Sequence, residues 1–187
     1  MNGNLISTVW PQAQTQIALK ALLVVLGVAL LSLAAKVQVP FWPVPMTLQT
    51  LVVLLIGATY GARLAGTTLG SYLVIGAIGL PVFAGGAGIA YMLGPTGGYL
   101  IGFFVAAALL GYLADRGMGR SLASALVLFA IGEVVIFAFG TAWLATLIGI
   151  DRAIAGGLVP FIPAEMLKVA LASAILFGAW RKSQNSS

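Results

Sequence analysis

The chain has 187 residues, of which 61% are hydrophobic and only 7% are charged. Ordinary soluble domains carry about 25% charged residues, so this composition excludes them and predicts an all-α integral membrane protein in a lipid bilayer. The absence of Cys and His excludes disulfides, thiolate nucleophiles and nearly all zinc sites. The formal charge of +5 is scattered along the chain, which argues against a nucleic-acid partner.

Apolar runs of about 17 residues or more predict transmembrane helices, and the chain has room for six of them in one domain, 1–187. We place the spans near 17–35, 47–62, 64–80, 96–114, 121–149 and 164–180, with a C-terminal tail at 181–187. The first span also resembles a signal peptide ending at Ser32-Leu33-Ala34, but the many later spans favour an uncleaved helix. The Gly-rich stretch 82–93 is predicted to be a loop; a re-entrant seventh element is the alternative.

Basic residues predict the orientation of these spans. One set of ends and connections holds Lys20, Arg63, Arg116, Arg120, Arg181 and Lys182, whereas the other holds only Lys36 and Arg152. Because cytoplasmic loops carry the excess of Lys and Arg, we predict that the N- and C-termini of this multi-pass protein are both cytoplasmic.

Prolines gather on the opposite, outer side of the predicted spans. Seven of the eight prolines in the chain lie on this side: Pro40, Pro43, Pro45, Pro81, Pro95, Pro160 and Pro163. Hydrophobic irregular backbone persists at a membrane only where protein buries it or where it lines a cavity. We therefore expect ordered outer loops folded over one ligand pocket. Helix termination is the alternative explanation of the prolines, although it leaves the neighbouring aromatic residues and glycines unexplained.

Glu165 and Lys168 place a carboxylate and an amine among apolar residues at the start of the last span. Their spacing of three puts both on one helical face. Two interpretations stand: an ion pair that lowers the cost of both charges near lipid, or a ligand site, which intramembrane ionisable groups indicate by default. Such a pair suits a small molecule with an anionic end and an uncharged N–H/C=O head, since lysine meets a carboxylate and glutamate accepts from N–H groups.

Neutral polar groups and glycines near the outer side are further candidates for ligand binding. Thr47 and Gln49 begin the second span, where Thr47 is either an N-cap or a ligand contact. Gly97 and Gly98 open the fourth span, and free N–H groups at a helix start attract polar ligand atoms. The aromatic candidates, which form either an interfacial belt or a pocket for an apolar ligand body, are Trp42, Phe83, Tyr91, Tyr99, Trp143 and Phe161.

Glu133 lies in the middle of the fifth span without a partner nearby in the sequence. It can pair with Arg120, carry a proton at neutral pH, or reach a cation on another helix, and proton coupling is the sharpest of these hypotheses. Small residues four apart, as in Gly57/Gly61, Ala62/Gly66/Gly70, Gly98/Gly102 and Ala107/Gly111, predict close packing of helices.

Several function classes are excluded by what the chain lacks. The chain has only four carboxylates and lacks an imidazole, a thiol and a nucleotide-binding motif, which argues against an enzyme. It also lacks a ring of repeated acidic or carbonyl motifs, which argues against an ion channel. A small-molecule binding or transport protein is predicted. The alternative from another class is a non-transporting structural membrane protein whose Glu165–Lys168 pair neutralises itself.

The motifs "PVPMTLQTLVVLLIGATYGARLA", "GLPVF", "MLGPTGGYLIGF", "FGTAWL" and "PFIPAEMLK" resemble those of the BioY family, the biotin-specific substrate-binding (S) components of energy-coupling factor (ECF) transporters. The resemblance covers nearly the whole chain from the first span onward. Its last motif commonly reads Gly-Asp in the family, where this chain has Ala164-Glu165, one methylene longer. Lys168 matches the family's lysine.

The resemblance implies six membrane helices and high-affinity biotin capture and uptake at the cytoplasmic membrane of a prokaryote. It also implies a complex with a transmembrane coupling subunit and two ATPase subunits, with biotin as the transported ligand and no cofactor. Biotin suits the candidate residues because it has a carboxylate, a ureido head with two N–H donors and an apolar thioether ring. An S component for another vitamin is the alternative within transport.

Overall fold

The computed structural model describes residues 3–10, 12 and 15–185, which form helices joined by short segments. Within these ranges there are nine α-helices and one pair of two-residue strands. The helices are α1 Leu5–Val9, α2 Ile17–Lys36, α3 Gln49–Tyr60, α4 Ala62–Ala77, α5 Gly88–Met92, α6 Gly97–Asp115, α7 Leu122–Ile148, α8 Ile150–Gly157 and α9 Ile162–Asn185. Strands β1 Gln38–Val39 and β2 Met46–Thr47 pair antiparallel, and a 3₁₀ turn at Val159–Phe161 precedes α9.

The helix boundaries follow local sequence signals. Gly61, with φ at +79°, separates α3 from α4, and Gly149, with φ at +86°, separates α7 from α8. Glycine adopts this left-handed backbone without the steric penalty that a side chain brings. The Ser121 side chain accepts a hydrogen bond from the Ser124 N–H and so caps α7.

Four helical stretches in the described part of the chain are long and apolar enough to cross a membrane: Ile17–Lys36, Gly97–Asp115, Leu122–Ile148 and Ile150–Gln184. The last of these joins α8, the 3₁₀ turn and α9. Helix α3 is apolar but has only 12 residues, and α4 has 16. The protein is therefore an all-α membrane protein, while six crossings remain a prediction.

Helix α6 lies at the centre of the bundle, packed against α3, α4 and α7. Glycines allow this close packing: a Cβ at Gly102 would lie 2.9 Å from the carbonyl oxygen of Ile136, and one at Gly57 would lie 2.9 Å from Leu110. The predicted packing role of these two glycines is confirmed. The packing prediction is wrong for Gly66 of α4, because a Cβ atom at that position would have no described atom within 4 Å.

Three connecting segments at one end of the bundle are more regular than the sequence suggests. We call this the proline-rich end; it comprises residues 37–48, 78–96 and 149–161. Its segments contain the β1–β2 pair, α5 and α8, in stretches predicted from the sequence to be loops. Long-range contacts support these short elements, as in the hydrogen bond that the Lys36 Nζ donates to the Phe83 carbonyl at 2.6 Å.

The opposite end is the basic end; it comprises α1, the first turn of α2 with Lys20, the α3–α4 junction, the end of α6 with Asp115, residues 116–121 and the last turns of α9. Helix α9 continues through Asn185, so residues 181–185 of the predicted tail are helical. No Gly or Pro interrupts this stretch, and Arg and Lys are good helix formers. Residues 186 and 187 of the predicted tail lie outside the described residues.

Candidate ligand-binding site

A small cavity, which we call the aromatic cavity, lies at the proline-rich end. Its volume is about 40 Å³. Parts of all three connecting segments and of α3, α6, α7 and α9 enclose it. The lining residues are Val44, Pro45, Thr47, Gln49, Thr50, Ala84, Tyr91, Thr96, Tyr99, Leu100, Phe103, Phe137, Phe161 and Glu165.

The start of α3 supplies neutral polar groups to this wall. The Thr47 hydroxyl accepts a hydrogen bond from the Gln49 N–H at 3.2 Å, so Thr47 both supports the first turn and faces the cavity. The helix N-cap itself is Leu48. Gln49 is 3% exposed, and its Nε2 donates to the Tyr72 hydroxyl at 2.7 Å, which in turn donates to the Val82 carbonyl at 3.0 Å. With its N–H₂ group bonded to Tyr72, the Gln49 side chain keeps acceptor capacity on Oε1.

Glu165 is the charged residue of the wall, placed there by the first turn of α9. It is 6% exposed, and both carboxylate oxygens have donors. Oε2 accepts from the Thr50 hydroxyl at 2.7 Å, and Oε1 accepts from the Lys168 Nζ at 2.8 Å. Each carboxylate oxygen can accept two hydrogen bonds, so Glu165 can still accept from a ligand.

Lys168 stands behind Glu165 and is not among the lining residues. Its Nζ donates to Glu165, to the Thr50 hydroxyl at 3.0 Å and to the Thr47 carbonyl at 2.6 Å. These three acceptors match the three protons of an ammonium group. In this arrangement Lys168 holds Glu165 and joins α9 to the start of α3. The expected contact of Lys168 with a ligand carboxylate stays a prediction.

Aromatic rings form the apolar part of the cavity. Phe137 is in edge contact with Tyr99 at 5.8 Å and with Phe161 at 5.7 Å between ring centroids. Tyr91 stacks on Phe83 at 5.3 Å, and its hydroxyl accepts from the Gly85 N–H. Such surfaces suit the apolar body of a small ligand.

Three further candidates lie outside this wall. Gly98 is packed against Trp143 and the Phe139 carbonyl, and Gly97 against the Met92 carbonyl, so a Cβ has no room at either position. The Trp143 indole donates to the Gly94 carbonyl at 2.9 Å and so joins α7 to the segment before α6. These contacts give all three residues a packing role.

Sequence reasoning missed several residues that the fold brings to the site. Thr50 bonds both Glu165 and Lys168, Tyr72 orients Gln49, and Phe137 lies between two other rings. A signal was available for Tyr72, since a hydroxyl inside an apolar span requires a partner. Thr50 and Phe137 carry no comparable signal.

A second, larger groove of about 840 Å³ lies at the basic end, lined in part by Lys20, Arg63 and Asp115. It is open to the surface, and its carboxylate is already bonded, to the Asn4 side chain and the Ala62 N–H. We therefore place the candidate site in the smaller aromatic cavity. Residues 3–10, 12 and 15–185 contain no group of three or more acidic side chains that could hold a metal ion.

Comparison with known proteins gives consistent matches. A model of the BioY family matches residues 8–185. A probable biotin transporter BioY of Pyrococcus horikoshii is 42% identical over 151 residues, which cover 80% of this chain and 89% of that protein. The biotin transporter BioY of Thermotoga maritima is 38% identical over 149 residues, covering 79% of this chain and 87% of that protein.

A solved structure also resembles this one. The crystal structure of the S-component for biotin from an ECF-type ABC transporter matches with a TM-score of 0.74 at 25% identity, covering 84% of this chain and 88% of that one.

Proposed function

Because the chain belongs to the BioY family, we propose that it captures biotin as the substrate-binding component of an ECF transporter. Within the chain itself, the observation that carries the proposal is Glu165, a buried carboxylate on the wall of a cavity otherwise lined by apolar and neutral polar residues. A carboxylate accepts from the two N–H groups of a ureido ring, and the Gln49 carbonyl oxygen and Thr47 hydroxyl supply further partners. Phe137, Phe161 and Tyr99 would contact the thioether ring.

The aromatic cavity must widen to admit biotin. Ligand pockets typically have about 300–1,000 Å³, far more than the 40 Å³ of this cavity. We assign this widening to the walls contributed by the three connecting segments, whose helices and strands are shorter than the helices of the bundle. Ordered loops that open and close over the ligand are therefore part of the proposal.

We further propose six transmembrane crossings, with the proline-rich end outside and both termini in the cytoplasm of a prokaryotic cell. The excess of Lys and Arg at the basic end supports this orientation. The cavity would then face the side from which a vitamin arrives. Helices α3 and α4 are short for a bilayer of about 30 Å, and local thinning or flanking residues would accommodate them.

Energy for uptake would come from partner subunits. The sequence contains no Gly-x₄-Gly-Lys-Ser/Thr motif, so this chain has no P-loop for ATP. A transmembrane coupling subunit and two ATPase subunits complete the proposed transporter. A chain that only binds and releases biotin is a transport component and needs neither a catalytic residue nor a cofactor.

Calorimetric titration of the detergent-purified protein with biotin tests the proposal. We expect saturable binding that other water-soluble vitamins do not displace, and loss of binding in Glu165→Ala. Asp115→Asn is the matched control, because it removes a carboxylate at the basic end and leaves the cavity intact. Displacement of biotin by a different vitamin would favour an S component of other specificity, and the absence of any saturable ligand would favour a structural membrane protein.

A further inference from the structure

Glu133 of α7 lies one helical turn from the aromatic cavity. Phe137, four residues later on the same helical face, is part of the cavity wall. Glu133 is only 8% exposed, and neither of its carboxylate oxygens accepts a hydrogen bond from a donor among the described residues. The hypothesis of a pair with Arg120 is not supported, since the Arg120 guanidinium lies against the Trp180 ring at 5.1 Å and donates to the Gly3 carbonyl.

The charged groups that interact with Glu133 are Glu165 and Lys168, both on α9. Helix α9 packs against α7, so the two helices bring two carboxyl groups and one ammonium group together. Helix α3 contains no charged residue, and α6 contains only Asp115 at its far end, where Asn4 and Ala62 bond it. Helix α8 also packs against α7 and carries Asp151 and Arg152, both of them exposed. Among the described residues of these helices, the Glu133–Glu165–Lys168 cluster therefore contains the charged groups that are removed from the surface near Glu133.

Charge balance within this cluster favours a proton on Glu133. With all three groups ionised, the cluster carries one net negative charge in a region removed from water. An ionised carboxylate without hydrogen-bond donors is strongly disfavoured there, and such a group takes up a proton instead. Glu165 accepts hydrogen bonds from Lys168 and Thr50, whereas Glu133 has no donor among the described residues, so we place the proton on Glu133.

We propose that Glu133 is the proton-binding residue of the biotin site, and that biotin binds when Glu133 carries its proton. The inference rests on the proposed function. Loss of the proton would place a second negative charge next to Glu165, and the repulsion would displace the carboxylate that accepts from the ureido N–H groups. It would also draw the Lys168 ammonium away from Glu165 and the Thr47 carbonyl, which together shape the polar wall. Both effects weaken biotin binding.

Linkage determines the expected dependence on pH. If the bound state requires the proton, biotin affinity is constant at pH values where Glu133 is fully protonated and falls as the pH rises through its titration. The limiting slope for one linked proton is about tenfold in Kd per pH unit. Binding in that range takes up protons from the buffer.

The experiment is a calorimetric measurement of biotin Kd from pH 6 to pH 10 on the detergent-purified full chain. Two buffers of different ionisation enthalpy at each pH give the number of protons taken up. We expect the wild-type affinity to fall at alkaline pH with proton uptake, and Glu133→Gln to lose that fall because the amide cannot ionise. Asp115→Asn, which lies outside the site, is expected to keep the wild-type profile.

The outcomes separate this inference from the proposed function. If the wild-type protein binds biotin with the same Kd across the range and without proton uptake, the role of Glu133 is refuted and biotin capture stands. An unchanged alkaline fall in Glu133→Gln refutes it too, and assigns the pH dependence to another group. If the variant does not fold, the wild-type profile and proton count alone decide. Absence of biotin binding at every pH refutes the proposed function itself.

Discussion

The two ends of the bundle each hold a carboxylate that connects helices, but the partners of the two groups differ. At the basic end, Asp115 accepts from the Asn4 side chain at 2.8 Å and from the Ala62 main-chain N–H at 3.0 Å. At the proline-rich end, Glu165 accepts only from side chains, those of Thr50 and Lys168. Asp115 is half-buried in a wide groove, whereas Glu165 is buried on the wall of a much smaller cavity.

This difference distinguishes a structural carboxylate from one available to a ligand. A main-chain N–H at a helix start cannot move without breaking the α3–α4 junction, so the role of Asp115 is set by the fold. Side-chain donors can shift by rotation about single bonds, and the cavity leaves the remaining lone pairs of Glu165 accessible. The same functional group therefore supports packing at one end and recognition at the other.

The largest effect is expected from Lys168→Met. Removing the ammonium leaves Glu165 buried without its counter-ion, and breaking a buried pair in this way typically costs about 3–5 kcal/mol. We expect a fall in Tm and a loss of biotin affinity of roughly 100-fold or more, measured by calorimetry on the folded fraction. Lys20→Met, at an exposed position of the basic end, should change neither.

The double variant Lys168→Met/Glu165→Gln sharpens the same comparison. Removing both charges should recover much of the Tm while biotin binding stays lost. Wild-type affinity in either variant would mean that the pair serves only to neutralise itself, as Asp115 and its partners serve only packing.

An intermediate effect, on stability alone, is expected from Asp115→Ala. The Asn4 side chain and the Ala62 N–H lose their acceptor, which corresponds to about 1–3 kcal/mol for unsatisfied polar groups. Thermal unfolding should show the loss, while the biotin Kd stays within about twofold, since Asp115 lies at the opposite end from the cavity. A large change in Kd would show that the two ends are coupled.

The smallest effect is expected from Tyr72→Phe. This change removes the hydroxyl that accepts from Gln49 and donates to the Val82 carbonyl, so the Gln49 amide loses its fixed orientation. We expect an affinity loss of about 3- to 10-fold, equivalent to roughly 1 kcal/mol.

Tyr60→Phe is the matched control for this variant. The Tyr60 hydroxyl donates to the Leu23 carbonyl, away from the cavity, so its loss should lower Tm without weakening biotin binding. Equal affinity losses in the two variants would contradict the positioning role of Tyr72.

Much of the candidate site could be predicted from local sequence. Glu165 and Lys168 stand out because charges are rare in this chain, and their spacing places them on one helical face. Thr47 and Gln49 were found because polar groups at a helix start are conspicuous. Gly97, Gly98 and Trp143 were predicted for the same kind of reason, but the structure gives them packing contacts that depend on how closely α6 approaches α7.

The membrane class, the apolar helices and the residue types that could bind a polar ligand follow from composition and from spacing along one helix. The folded structure was needed to show that Thr50 bonds Glu165, that Tyr72 holds Gln49, and that Glu133 lies beside the Glu165–Lys168 pair without a hydrogen-bond donor among the described residues. Those contacts join residues far apart in the chain. Helix rotation and close approach create them, and neither is encoded in the spacing of residues within a single helix.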